Sequence, residues 1–328
     1  IVMRYLFIKP YKLFNRINSI LLEMILISGI RWRLRMFKKL LFWFGGTVVG
    51  FSNLILRPRR VSSDKEFKMG IKLGRFDEDA YNNTKKKRFM IRSDYGYDLS
   101  CELLKSGSSD NKIAILCHGF SRGKYKSLLY ASIFLDLGYN VLIYDHRNHG
   151  LSGRAYTSMG YYEKYDLKKI IDWCCDTYGP DCIMVTHGES MGAATVLLHL
   201  GIDDRVVCAI ADCAYSDLKE LLKHQIKYYY HLPQVLIPLE SLITYLRAGF
   251  WYGEVSPIQV VSRTDTPILF IHGKKDKYVP TRMSKEMYKS KRKSKALYLV
   301  AGAGHASSYE TNRNGYKKAV ENFLKKYM

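Results

Sequence analysis

Residues 182–195 read CIMVTHGESMGAAT. An apolar run, Cys182–Thr186, leads into Gly188-Glu189-Ser190-Met191-Gly192, and small residues (Ala193, Ala194) open the segment that follows. A short strand feeding a G-x-S-x-G turn and then a helix is the setting in which this motif presents a nucleophile. The serine of such a turn sits on a sharp, strained bend, so its neighbours must lack bulk, and Gly188 and Gly192 supply that. Its hydroxyl then stands at a helix N-terminus, where the helix dipole favours developing negative charge. Ser190 is therefore the predicted nucleophile.

A serine hydroxyl is weakly nucleophilic at neutral pH and needs a base, itself oriented by a third group. Downstream, IHGKKD places Asp276 on a loop just past the apolar run Pro267–His272. AGAGH places His305 just past Ala296–Val300. Taken singly, these are a turn-capping acid and a loop histidine. At the ends of successive strands, downstream of the serine turn, they predict Asp276 as orienting acid and His305 as base. Upstream, Cys117-His118-Gly119-Phe120 follows the run Lys112–Cys117. Gly119 permits a tight turn that aims the Phe120 N–H at an acyl oxygen, and the N–H of Met191 is the second expected oxyanion donor.

Around these motifs, strand-like and helical stretches alternate. Arg88–Arg92 and Tyr97–Leu104 form a predicted hairpin, followed by strands at Lys112–Cys117, Asn140–Tyr144, Cys182–Thr186, Val206–Ala211, Pro267–His272 and Ala296–Val300. Helices are expected at Lys124–Leu137, Tyr161–Tyr178, Met191–Gly201, Met283–Ser290 and Asn314–Tyr327. Continuous Ile/Val/Leu runs joined by helices imply a largely parallel sheet covered on both faces, an α/β class fold. Tyr215–Glu254 interrupts this alternation, rich in Tyr and Leu and broken by Pro233 and Pro238. It reads as a small helical cap, with an ordinary surface insertion as the plainer reading.

With HGF at 118–120, YDHRNHGLSG at 144–153, HGESMGAAT at 187–195, IADCAYSDL at 210–218, LFIHGKKDKYVP at 269–280 and GAGHASS at 302–308, the chain from about Lys85 resembles the α/β-hydrolase superfamily. It is most similar to bacterial hydrolases related to the serine aminopeptidase/lysophospholipase-like and Bem46-like groups. The resemblance implies a mostly parallel eight-stranded sheet flanked by helices, and the chain order Ser, Asp, His is typical of that superfamily. It also implies that Asp145, Arg147 and His149 buttress the loop beside the site without reacting. Gly119 and Glu189 join them as supporting positions, and Asp212, near the alternative acid position, is a rival to Asp276.

Composition narrows the remaining possibilities. The 328 residues carry a formal charge of +22, and residues 1–60 hold twelve Lys/Arg against one acid, Glu23. Elsewhere the cations are scattered, without the basic face and interleaved aromatics of a nucleic-acid binder, so no nucleic-acid partner is expected. The seven cysteines include no CxxC and fall mostly in apolar runs, as small buried hydrophobes in a reducing setting. Neither a metal nor a cofactor is expected, His146 and His149 falling in the buttress loop.

Leu40–Leu56 (LLFWFGGTVVGFSNLIL) is free of charge, with basic residues on both sides. It is a membrane-anchor candidate, long enough for a short spanning helix or for one lying in the membrane surface or packed on the domain. More cations before it than after favour an N-terminus on the cytoplasmic side with the domain outside, whereas the cysteines favour a cytosolic domain. The expected organisation is a basic segment 1–60 at the cell membrane, a linker 61–84 and a hydrolase domain 85–328 with its cap at 215–254. The expected chemistry is a serine hydrolase acting on a small-molecule or lipid-like acyl ester or thioester. A peptidase or amidase on the same triad and a non-catalytic membrane scaffold are the alternatives.

Overall fold

The computed structural model describes Gly46 and residues 50–108 and 111–328. Eight strands form one sheet: β1 (Lys86–Arg92), β2 (Asp98–Leu104), β3 (Lys112–Cys117), β4 (Asn140–Tyr144), β5 (Ile183–Glu189), β6 (Val206–Asp212), β7 (Ile268–Gly273) and β8 (Lys295–Val300). Their order is β1-β2-β4-β3-β5-β6-β7-β8. The pairs β1–β2 and β2–β4 are antiparallel, and all the others are parallel. Burial follows position. β4 and β7 are buried throughout, whereas the edge strand β1 (KKRFMIR) is mostly solvated and its cations guard an open edge.

The helices in chain order are α1 (Ser63–Lys72), α2 (Glu78–Asn83), α3 (Leu128–Asp136), α4 (Glu163–Tyr178), α5 (Met191–His199), α6 (Leu218–Tyr229), α7 (Leu236–Ala248), α8 (Pro257–Val261), α9 (Arg282–Ser290), α10 (Ser308–Thr311) and α11 (Arg313–Tyr327). Alternate residues of β3 feed two cores on opposite faces. Ile113, Ile115 and Cys117 pack with Leu167 and Ile171 of α4, while Ala114 and Leu116 pack with Phe134 of α3 and Phe323 of α11. A third core lies under α6 and α7 and includes Met191, Leu198, Leu221, Ile226 and Ile237.

The parallel register brings the carboxyl ends of the strands level: Cys117 pairs with Gly188, Glu189 with Asp212, and Asp212 with Ile271. From β3 the chain goes to β4 on one side, and β5 pairs on the other. A crevice opens at such a reversal of strand order, outside the carboxyl ends. HGF leaves β3 and the serine turn leaves β5 at that crevice.

Two expectations for the N-terminal part change. Residues 61–84 are not a linker: they carry α1 and α2, which are tied down from within the domain. Tyr81 is buried and donates to Glu102 at 2.5 Å, and both Glu66 carboxylate oxygens accept the Gly123 N–H. Of the anchor candidate 40–56, residues 40–45 and 47–49 lie outside the described residues. Residues 50–56 are helical and belong to the domain: Ile55 and Leu56 enter the third core, and Phe51 packs edge-on against Tyr230. Arg247 of α7 donates to Ser52 Oγ and Asn53 Oδ1. Among the described residues no helix is long and apolar enough to cross a membrane.

Leu56 is fully buried, so Leu56→Ala is expected to lower stability by about 2–5 kcal/mol. Urea denaturation checks this, and an unchanged midpoint would mean that the segment does not dock.

Candidate active site

The turn between β5 and α5 is dictated by contact distances. A Cβ on Gly192 would stand 2.1 Å from the Cys117 carbonyl oxygen, and one on Gly188 would stand 2.3 Å from the Gly192 carbonyl carbon. Only glycines let the elbow pack this closely on β3. Ser190 takes φ 56° and ψ −113°, a region that holds a side chain at roughly 1–3 kcal/mol of strain. Its N–H donates to the Asp212 carbonyl at 2.8 Å, which pins the bend to β6.

Three loops converge on the Ser190 hydroxyl. Ser190 Oγ lies 2.9 Å from His305 Nε2, and His305 Nδ1 lies 2.7 Å from Asp276 Oδ2. With the Nδ1 proton shared toward Asp276, Nε2 is left as an acceptor for the hydroxyl proton. Asp276 Oδ1 accepts the N–H groups of Tyr278 and Val279, both at 2.9 Å. Burial alone would raise the Asp276 carboxyl, but hydrogen bonds from His272 and His305 outweigh it and hold the group down at about 2. His272, on β7, contacts Asp276 Oδ2 at 3.1 Å and is itself held by Ser284 at 2.7 Å. The rival acid Asp212 faces elsewhere: its Oδ1 accepts from Ser308 Oγ at 3.1 Å.

The loop after β3 is clamped from the other side. His118 Nε2 accepts the His146 N–H at 2.9 Å, so its proton sits on Nδ1 and is donated to the Gly119 carbonyl. His149 Nε2 accepts the Ser121 N–H at 3.1 Å, and its Nδ1 donates to the Arg147 carbonyl. Burial keeps both rings neutral by lowering their pKa values. Between these clamps, the N–H groups of Phe120 and Met191 donate to no protein group among the described residues. That is the condition an oxyanion pocket requires.

The remaining expected positions form the wall behind this loop. Asp145 accepts the N–H groups of Lys124 and Leu151 and lies 3.6 Å from Lys124 Nζ. Arg147 pairs with the buried Asp166 of α4 at 2.9 Å and lies over the rings of Tyr95 and Tyr162. Glu189 points away from the crevice, accepting from Tyr130 at 2.6 Å and pairing with Lys126 at 3.4 Å. Gly119 lies against it; a Cβ there would be 3.3 Å from Glu189 Oε1.

Sequence reasoning missed several of these partners. His272 lay inside the quoted IHGKKD segment, and its position four residues before Asp276 was the available signal. Glu66, Lys126 and Asp166 had none, since a buried charge leaves no trace in an apolar pattern. The thiol of Cys213 also went unnoticed: a ligand atom from each of Cys213, Asp276 and His305 lies within 4.8 Å of the others.

Residues 126–328 match the model of the prolyl oligopeptidase family. The uncharacterized protein YqkD of Bacillus subtilis (strain 168) is 38% identical over 297 residues, covering 88% of this chain and 97% of that protein. The uncharacterized protein YfhR of Escherichia coli (strain K12) is 24% identical over 225 residues, 67% of this chain and 72% of YfhR. Among solved structures, the Pyrococcus furiosus esterase Pf2001 superposes with a TM-score of 0.65 at 25% identity, over 84% of this chain and 98% of Pf2001.

Glu66 gives a pH test of the clamped loop. Burial raises its carboxyl to about 7, against the backbone hydrogen bond from Gly123 that lowers it. The folded value lies above the unfolded one of about 4.3, so the native state holds an extra proton in between. Stability therefore falls as pH rises from roughly 4 to 7. Glu66→Gln is expected to flatten this window by on the order of 2 kcal/mol. Urea denaturation at about pH 5 and about pH 8 reads the difference, and equal slopes in variant and parent would contradict it.

Proposed function

This chain belongs to the prolyl oligopeptidase family, within the α/β-hydrolases, and from that premise we propose that it is a serine hydrolase that cleaves an acyl ester or thioester. The observation that carries the reading is the unbroken line from Ser190 Oγ through His305 to Asp276 at the strand-order reversal. Ser190 Oγ attacks the acyl carbonyl while His305 Nε2 takes its proton. Asp276 stays ionised and steadies the imidazolium that forms. The Phe120 and Met191 N–H groups receive the oxyanion. His305 then protonates the leaving group, and water, activated by the same base, releases the acyl chain from Ser190. No metal or other cofactor is part of this scheme.

Asp145, Arg147, His149, Gly119 and Glu189 act by holding the loop that carries the Phe120 N–H. The choice of an ester over a peptide is supported by the Tyr- and Leu-rich insertion 215–254, which packs against Met191 next to the nucleophile. The likeness to an esterase from Pyrococcus furiosus points the same way. A peptidase is the second reading, favoured by the family's name. A membrane setting belongs to the proposal through residues 40–49, the part of the apolar stretch that precedes the docked helix, and the cations before them.

Turnover of p-nitrophenyl acyl esters and fluorophosphonate labelling test this. Ser190→Ala is expected to lose labelling and about 10⁴-fold or more in kcat, and Asp276→Asn about 10⁴-fold with labelling slowed. Labelling that survives Ser190→Ala would remove the assigned nucleophile. Faster hydrolysis of aminoacyl amides than of acyl esters would shift the reading to the peptidase.

A further inference from the structure

Helix α7 carries apolar residues on its exposed face as well as on the side that enters the third core. Its buried positions are Ile237, Glu240, Ser241 and Thr244, three of the four polar. Its outward positions are Pro238, Leu242, Tyr245 and Leu246, with Val235 just before it. Val235 is 75% exposed and Leu246 72%. Burial pushes the Glu240 carboxyl up to about 8, and its Oε2 has no hydrogen-bond partner among the described residues. The residues fall at three- and four-residue spacing on a single stripe. A soluble helix normally turns such a stripe toward its core. Here it faces out, beside Trp251, whose ring stacks on Tyr245 at 4.6 Å.

We propose that this outer face of α7 is a docking surface for an anionic lipid bilayer. Three observations select that occupant. The described helical residues 50–56 lie against α7, hydrogen-bonded to its Arg247, and the stretch that precedes them in the sequence, LLFWFGGTVV at 40–49, is apolar. Cations border the helix: Arg57, exposed at the end of the docked helix, and Arg247 of α7 lie over the same ring, that of Tyr156, at 5.1 and 5.6 Å. The neighbouring acids are engaged, Glu220 with Lys223 and Glu254 with the Trp251 N–H. An apolar stripe with aromatic residues and bordering cations is the make-up of a helix that lies in the plane of a membrane surface. Seated this way, the domain meets the membrane without any spanning helix among the described residues. This docking does not depend on the chemistry proposed above.

The test uses the full chain and sedimentation with vesicles of phosphatidylcholine, with and without phosphatidylglycerol. Binding is expected to the mixed vesicles and to weaken with salt. The double variant Leu242→Glu/Leu246→Glu is expected to bind at least about tenfold more weakly, with an unchanged thermal melt and unchanged fluorophosphonate labelling. Deuterium uptake by residues 236–248 is expected to fall when vesicles are added. The idea fails if the wild-type chain ignores both kinds of vesicle, or if the variant binds as the wild type does, which would assign attachment to the N-terminal stretch alone. Protection of α7 without lipid would mean that the chain's own N-terminal residues cover it. Self-association abolished by the same substitutions would mean that a second copy does. Either result overturns the bilayer as occupant.

Discussion

Everything at the carboxyl edge of the sheet depends on how closely the serine elbow packs on β3. The Cys117 carbonyl occupies the space a side chain at position 192 would need, and the Gly192 backbone does the same for position 188. Because these contacts leave no slack, the start of α5 has one position relative to β3 and β5. That position determines where the Met191 N–H points and how far it stands from the loop bearing the Phe120 N–H. The strained φ of Ser190 follows from the same packing, and it is not alone. Ser121, Cys213 and Ala306 also hold positive φ, each on a loop that leaves a strand beside the crevice. Strain of this kind persists only where surrounding structure over-determines it.

The surroundings do so with buried polar groups in two layers. Nearest the crevice, His118, His149 and His272 each fix a loop through a ring nitrogen. Behind them, Glu66, Asp145, Glu189 and Asp212 satisfy backbone N–H and hydroxyl groups or pair with lysines, deep in the protein. Burial raises Asp212 to about 8, with the neighbouring Glu189 adding to the shift. Asp276, by contrast, is kept low by its hydrogen bonds. Asp212 at the end of β6 and Asp276 just past β7 are thus shifted in opposite directions, the first by burial beside Glu189 and the second by hydrogen bonds from His272 and His305 that outweigh its burial.

Much of this could be read from the chain. Strand runs such as Asn140–Tyr144 were visible because central strands need apolar residues on both faces, and Ser190, Asp276 and His305 because each follows such a run. The α/β class came from that alternation. What escaped was whatever depended on a partner far along the sequence. The segment 61–84 looked like a linker since α1 and α2 carry few large apolar residues, yet Glu66 and Tyr81 plug into the domain as hydrogen-bonding groups. The stretch 40–56 showed its apolar character but not that its last turns belong to the third core. The Tyr/Leu-rich insertion 215–254 showed its apolar character but not which of its residues would face outward, because hydrophobicity has no direction until a neighbour supplies one.

The hydrogen bond between Ser190 and His305 spans 115 residues, and the one between His305 and Asp276 spans 29. During synthesis the serine elbow is therefore made well before the strand that delivers its histidine. The last strand in the chain, β8, carries the loop that bears His305, and it must pair with β7 before that loop can reach Ser190. Until that final strand zips into place, Ser190 is an ordinary alcohol on a sharp bend. In the proposed mechanism a nascent or partly unfolded chain is chemically inert toward the acyl groups around it, and reactivity begins with closure of the sheet's last edge.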